Sequence, residues 1–404
     1  MKNIILLLTL ILPFLINAQN SNNFCGTDAY YEEYYKNHPA EYQALQEHLD
    51  NRDLSPFKVE RRESTRIIPV VFHIIHQGGD ENIPDSDIEE LLQRLNEDFQ
   101  GKNPDTISIR AIFKPYYANM NIEFRLARID PDGNCTNGIN RIYSDKTVDA
   151  RDNVKSLSWW DNMKYLNVWV VKSIYNFGSA GTILGYATFP TNVFSAPTKD
   201  GIVIRSDRAN YSGRTLTHEI GHYMGLYHTF QSGCGGDCET TGDRVCDTPP
   251  VYEDTYGCDH SKNSCHNDSP DLPDMAENHM DYTTCRVMFS KGQKEVVDYY
   301  LASAYRKSLI SSANLDATGV SGNTVISCVP VAGFKVEDAI LCTNSTIEFI
   351  DQSFGSDDIT HKWYFPGGTP DFSTDKNPVI TYGVSGKYDV HLVVTNANVK
   401  DIND

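Results

Sequence analysis

Residues 217–228 read THEIGHYMGLYH, and this stretch decides the fold. On a helix, positions four apart share a face, so His218 and His222 aim both imidazoles at one point. Glu219 sits at the edge of that face, able to reach a water beside a metal without ligating the metal. Gly225 admits a backbone conformation closed to other residues, which lets the chain turn and bring His228 round as a third ligand. Three neutral imidazoles leave the fourth position of a Zn²⁺ ion open, the catalytic rather than the structural arrangement. Glu219 is then the general base that deprotonates water attacking a peptide carbonyl. A bare HExxH is a weak signal; Gly225 and His228 at fixed spacings make it specific.

Upstream, RIIPVVFHIIH (66–76) is a β-branched, apolar run read as a buried strand. Asp85 and Ser86 before Glu89 read as a capping box, followed by Ile88, Leu91, Leu92, Leu95 and Phe99 on one helical face. NIEFRLARID, YLNVWVVKSI, ILGYATFP and GIVIRSD read as further strands. Together with the histidine helix they predict an α/β (α+β) domain with a mixed sheet over residues 63–312. Residues 229–285 are rich in Cys, Gly, Asp and Pro, so cysteines or bound ions must pin them. KGQKEVVDYYLASAYRKSLI is expected to close the domain as a helix.

The flanks predict export. Residues 1–18 carry one Lys, a short apolar run and Ala18, a signal peptide rather than a membrane anchor. Residues 19–62 are polar, with Cys25 as their one cysteine, and stop at the basic cluster Arg61, Arg62 and Arg66, which reads as a propeptide and its processing point. Ten cysteines suit an oxidising compartment, and the net charge of −19 argues against nucleic acid or anionic membrane as a partner. No membrane insertion is expected after signal cleavage; the product is secreted and acts on proteins or peptides. Residues 313–329 read as a linker, and 330–404 as a small all-β sandwich. Its last strand is expected to be clipped at Asp404.

HEIGHYMGLYH, NHMDY (278–282), GDRVCDTPP (242–250) and CRVMFSKGQ (285–293) together resemble the pappalysin (M43, cytophagalysin-like) family of metzincin metallopeptidases across about residues 66–312. The resemblance implies a two-subdomain metzincin fold, with Met280 beneath the metal as the Met-turn and Tyr282 as a hydrogen-bond donor to the tetrahedral oxyanion. It implies that Cys25, in Cys25-Gly26-Thr27, holds the zinc in a latent zymogen; a disulfide with Cys135 is the alternative. It also implies Ca²⁺ at Asp243, Asp247 and Thr248, whose oxygens suit that ion, and disulfides Cys238–Cys265 and Cys258–Cys285. Cys234–Cys246 and Cys328–Cys342 would complete the set. Val287 stands where relatives that cut beside Arg or Lys carry Asp, which puts basic specificity in doubt: the expectation is either a shift to apolar side chains or another acid, such as Asp259, in its place. WYFPGGTPDFSTDKNPVITYGVSGKYDVHLVVTN resembles a PKD domain, a spacer or polymer-binding module.

Two other functions fit parts of this pattern: a calcium-stabilised adhesion protein on a degenerate protease scaffold, and a zinc hydrolase of non-peptide amides. The intact set of His218, Glu219, His222 and His228 favours the peptidase.

Overall fold

A computed structural model describes residues 23–58, 64–179, 181–192, 195–266, 268–322, 329–336, 340, 342–355, 359–396 and 400–403. The expected signal peptide, Arg61, Arg62 and Cys328 lie outside them.

In chain order the elements are β1 (Asn23–Cys25), α1 (Thr27–Asn37), α2 (Pro39–Asp50), β2 (Arg66–His76), α3 (Asp85–Phe99), β3 (Tyr117–Ala118), β4 (Ile122–Leu126), β5 (Ile139–Tyr143), β6 (Leu166–Val171), β7 (Thr182–Ala187), β8 (Ile202–Arg205), α4 (Thr215–Tyr223), β9 (Phe289–Ser290), α5 (Lys291–Ala302) and α6 (Ser312–Ala317). The main sheet is mixed, in the order β1-β7-β8-β6-β2-β4, with β5 continuing β4's place along β2. Only the β7–β8 pair is antiparallel. β2 and β6 are apolar along their length because both faces are covered. On one face α3 and α4 bury Ile88, Leu91, Leu95, Leu216 and Ile220 against Val70, Phe72 and Val168. The fold is therefore the mixed α/β class expected.

Some expectations need correction. α3 starts at Pro84 without a side-chain cap. Asp85 is instead drawn to Arg141 and Asn137, so the capping box is absent. The closing helix stops at Ala302, because Ser303 turns to an extended conformation. Arg66, read in the sequence as part of the basic cluster at the processing point, opens β2, and its guanidinium meets Asp298 and the Met120 carbonyl. The segment expected to link domains begins as part of α6, whose Asn314 is buried, and the Thr318 carbonyl accepts from the backbone of Arg128 and Ile129. No helix among the described residues is long and apolar enough to cross a membrane.

Among the described residues, 229–285 contain no helix or strand, as expected of a segment pinned by other means. The pins are three disulfides: Cys234–Cys265, Cys238–Cys246 and Cys258–Cys285. Cys238–Cys265 and Cys234–Cys246 are thus exchanged partners, since the loop folds back within eight residues to bring Cys246 to Cys238. Cys342 is free and exposed, which removes Cys328–Cys342, and Cys25 is free and buried, which removes a bridge to Cys135.

C-terminal strands form a three-stranded sheet (346–348, 379–382, 368–369) and a four-stranded one (372–373, 360–364, 391–395, 400–403). Their core holds Phe349, Trp363, Phe365, Ile380, Leu392 and Val394. A strand forms at Lys400–Asn403 and pairs with residues 391–395.

Candidate metal and catalytic centre

Helix α4 is wholly buried. Its first histidines stand one turn apart, and its C-terminus is set by Gly225, at φ +90°. A Cβ there would lie 2.1 Å from the Tyr300 ring, so both the conformation and the space demand glycine. The turn delivers His228 back to the helix. The Nε2 atoms of His218, His222 and His228 then lie 3.1–3.2 Å from one another.

The opposite ring nitrogens explain how the three are aimed. His218 Nδ1 meets the His279 carbonyl at 2.7 Å, His222 Nδ1 the Leu226 carbonyl at 2.7 Å, and His228 Nδ1 the Asp28 carboxylate at 2.9 Å. Acceptors at Nδ1 place the proton there and leave the Nε2 lone pairs facing inward. Burial also pushes His218 well below its ordinary value and His222 down to about 3, which keeps both rings neutral. Three converging lone pairs repel one another unless a cation lies between them, and an all-imidazole donor set fits zinc.

Met280 lies beneath this group: a Cβ on Gly221 would meet its sulfur at 2.3 Å, so the glycine lets the turn pack directly under the helix. Asn278 and Gln293 exchange two 3.0 Å hydrogen bonds and tie that turn to the start of α5. Glu219 is fully buried, and burial pushes its carboxyl up to about 8. Its Oε1 has no hydrogen-bond partner among the described residues, and its Oε2 accepts from the Cys25 thiol at 3.4 Å, beside the histidine group.

The N-terminal segment fills the centre. β1 pairs with β7, setting Cys25 opposite Gly185, and the Cys25 sulfur lies in the same group as the three Nε2 atoms. Thr27 donates to Glu219 Oε2 at 3.2 Å, and the Tyr282 phenol donates to the Cys25 carbonyl at 3.1 Å. Thr27 and Asp28 were missed in the sequence; the signal was their adjacency to Cys25. Beyond them α1 inserts Tyr30 and Tyr31 among Tyr186, Phe177 and Phe189.

Other expected site residues fall elsewhere. Val287 is buried among Ile109, Phe113, Met275 and Met288, whereas its neighbour Arg286, which sequence reasoning missed, lines the catalytic cavity. Asp259 is exposed and turns back to Ser261. Asp243 accepts from Thr248 and the Val245 amide, whereas Asp247 accepts from Ser290 and the Gly292 amide. The two carboxylates hydrogen-bond to different partners, and both line one pocket together with Thr248.

Comparison with known proteins follows the same lines. The peptidase M43 family (pregnancy-associated plasma protein-A) matches residues 149–302. An extracellular metalloprotease of Neurospora crassa is 36% identical over 46% of this chain and 62% of its own length. One of Arthroderma otae is 30% identical over 56% of this chain and 74% of its own. The chain spans about half to three quarters of the length of the curated relatives it matches. Among solved structures, Tannerella forsythia promirolysin superposes with a TM-score of 0.61 at 33% identity, covering 72% of this chain and 98% of that one. Mature mirolysin in complex with a cleaved peptide gives 0.56 at 34% identity, covering 63% and 99%. By these matches over nearly the whole of a solved member, the chain belongs to the M43 metallopeptidase family.

Proposed function

We propose that this chain is a secreted zinc endopeptidase made as a latent precursor, hydrolysing peptide bonds in proteins. The observation that carries the reading is the convergence of the three Nε2 atoms within 3.2 Å, with Glu219 Oε2 3.4 Å from the Cys25 sulfur that completes the same group. His218, His222 and His228 would hold zinc, which supplies a Lewis acid that polarises the scissile carbonyl and acidifies water. Glu219 takes the proton of the attacking water and passes it to the leaving amine as the C–N bond breaks. Tyr282 donates to the oxygen that gains charge.

In the precursor, residues 19–62 act as the latency segment. Cys25 would join the three histidines in holding the metal, a thiolate there keeping water out. Thr27 holds Glu219 and Asp28 holds His228. The names of the relatives support the extracellular setting. The C-terminal sandwich is read as a PKD-like spacer.

The test is hydrolysis of a peptide library by the activated chain and its Glu219→Ala variant, with metal content by mass spectrometry. Zinc at one per chain in both, with cleavage only in the wild type, is expected. Equal cleavage by both would sink the mechanism.

A further inference from the structure

The cavity at the catalytic centre is lined by Cys25, Leu184, Thr215, His218, Glu219, Tyr282 and Arg286, and its volume is about 40 Å³. That is room for roughly three waters, or one carboxylate. Arg286 is half-buried. The one protein acceptor it meets among the described residues is the Asp281 backbone carbonyl, 3.2 Å from Nη1.

Other arginines of the domain are differently placed. Arg214 is clamped by Asp98 and Asp105, Arg110 by Glu277, and Arg306 by Asp200. No described carboxylate pairs with Arg286, and the one carboxylate on the cavity wall is Glu219, the proposed base. The Arg286 fork therefore carries donors without an anionic acceptor, in a place shielded from bulk water, where a carboxylate gains most.

Resting on the endopeptidase reading, we propose that Arg286 makes this cavity a subsite for an acidic side chain, so that the enzyme cuts on the amino side of Asp or Glu. Glu219 delivers its proton to the leaving amine, so a cavity with Glu219 in its wall lies on the leaving-group side. A Lys or Arg side chain there would face Arg286, and like charge would exclude it. The apolar position of Val287 adds no counter-charge.

The experiment uses the full chain, activated by limited proteolysis, on a proteome-derived peptide library. Asp and Glu enriched about tenfold directly after the cut are expected, with acidic-substrate kcat/KM falling as salt rises while neutral-substrate kcat/KM holds. Arg286→Gln should lose the enrichment, its kcat/KM falling about tenfold more for acidic than for neutral peptides, Arg286→Lys should retain much of it, and Arg286→Glu should move preference toward Lys and Arg. Basic or apolar residues after the cut in the wild type, or unchanged enrichment in Arg286→Gln, would overturn the proposal. A purely structural role, through the bond to Asp281, would lower kcat for all substrates alike. If an Arg286 variant does not fold, the wild-type cleavage pattern and its salt dependence decide alone. Cleavage without acidic preference sinks only this proposal; no difference between wild type and Glu219→Ala sinks the reading beneath it.

Discussion

The phenol of Tyr282 donates to the backbone carbonyl of Cys25 at 3.1 Å, so the latent chain presents one of its own carbonyls to the group proposed to act on a substrate's. Tyr282 is thus already oriented, and removal of the segment frees the donor without rearrangement. Tyr282→Phe should lower kcat by about a hundredfold with KM nearly unchanged, the cost of one oxyanion donor. Steady-state kinetics on a fluorogenic peptide checks this; a rise in KM alone would assign Tyr282 to binding.

Cys25→Ala should raise the activity of the uncleaved chain on the order of tenfold, which corresponds to about 1.4 kcal/mol of occupancy. Release stays incomplete because β1 still pairs with β7 and Tyr30 and Tyr31 remain seated on the domain. Proteolytic removal of the segment should raise activity further. A Cys25→Ala chain as silent as the wild type would remove the thiol from the latency device.

His73 is fully buried, its Nε2 faces Asn167 Oδ1 at 3.0 Å, and burial lowers it to about 4. An unfolded histidine titrates near ~6.5. Between those values the unfolded chain binds the extra proton, so stability is lost as pH falls from 6.5 toward 4, by up to about 1.4 kcal/mol per pH unit. His73→Gln should flatten this limb of a pH series of denaturant titrations; an unaltered limb would refute the assignment.

Arg306 and Asp200 form a fully buried bidentate pair at 2.6 and 2.8 Å, and the guanidinium lies 3.6 Å over the Tyr223 ring at the end of the histidine helix. Arg306→Ala leaves Asp200 charged and buried, and should cost about 3–5 kcal/mol. Urea titration measures it. Loss below about 1 kcal/mol would mean that water or Asn162 and Thr188 satisfy Asp200 unaided.

The sequence by itself determined the histidine helix, its glycine turn, the strand order of types and the irregular cysteine-rich stretch. Those depend on local spacing: one turn between His218 and His222, and runs such as 66–76 whose apolar character reports burial on both faces. Tertiary structure decided what depends on distant segments meeting. Asp28 reaches His228 across 200 residues, and Thr27 reaches Glu219 across 192, because β1 adds to the free edge of β7. The cysteine partners likewise followed the path of the loop, which counting could not supply. Arg286 and Val287 are neighbours in the chain, yet one lines the catalytic cavity and the other an apolar cluster. Which of the two lines the cavity was fixed by the path of the chain just after the Cys258–Cys285 bridge, a property of the fold and not of either residue.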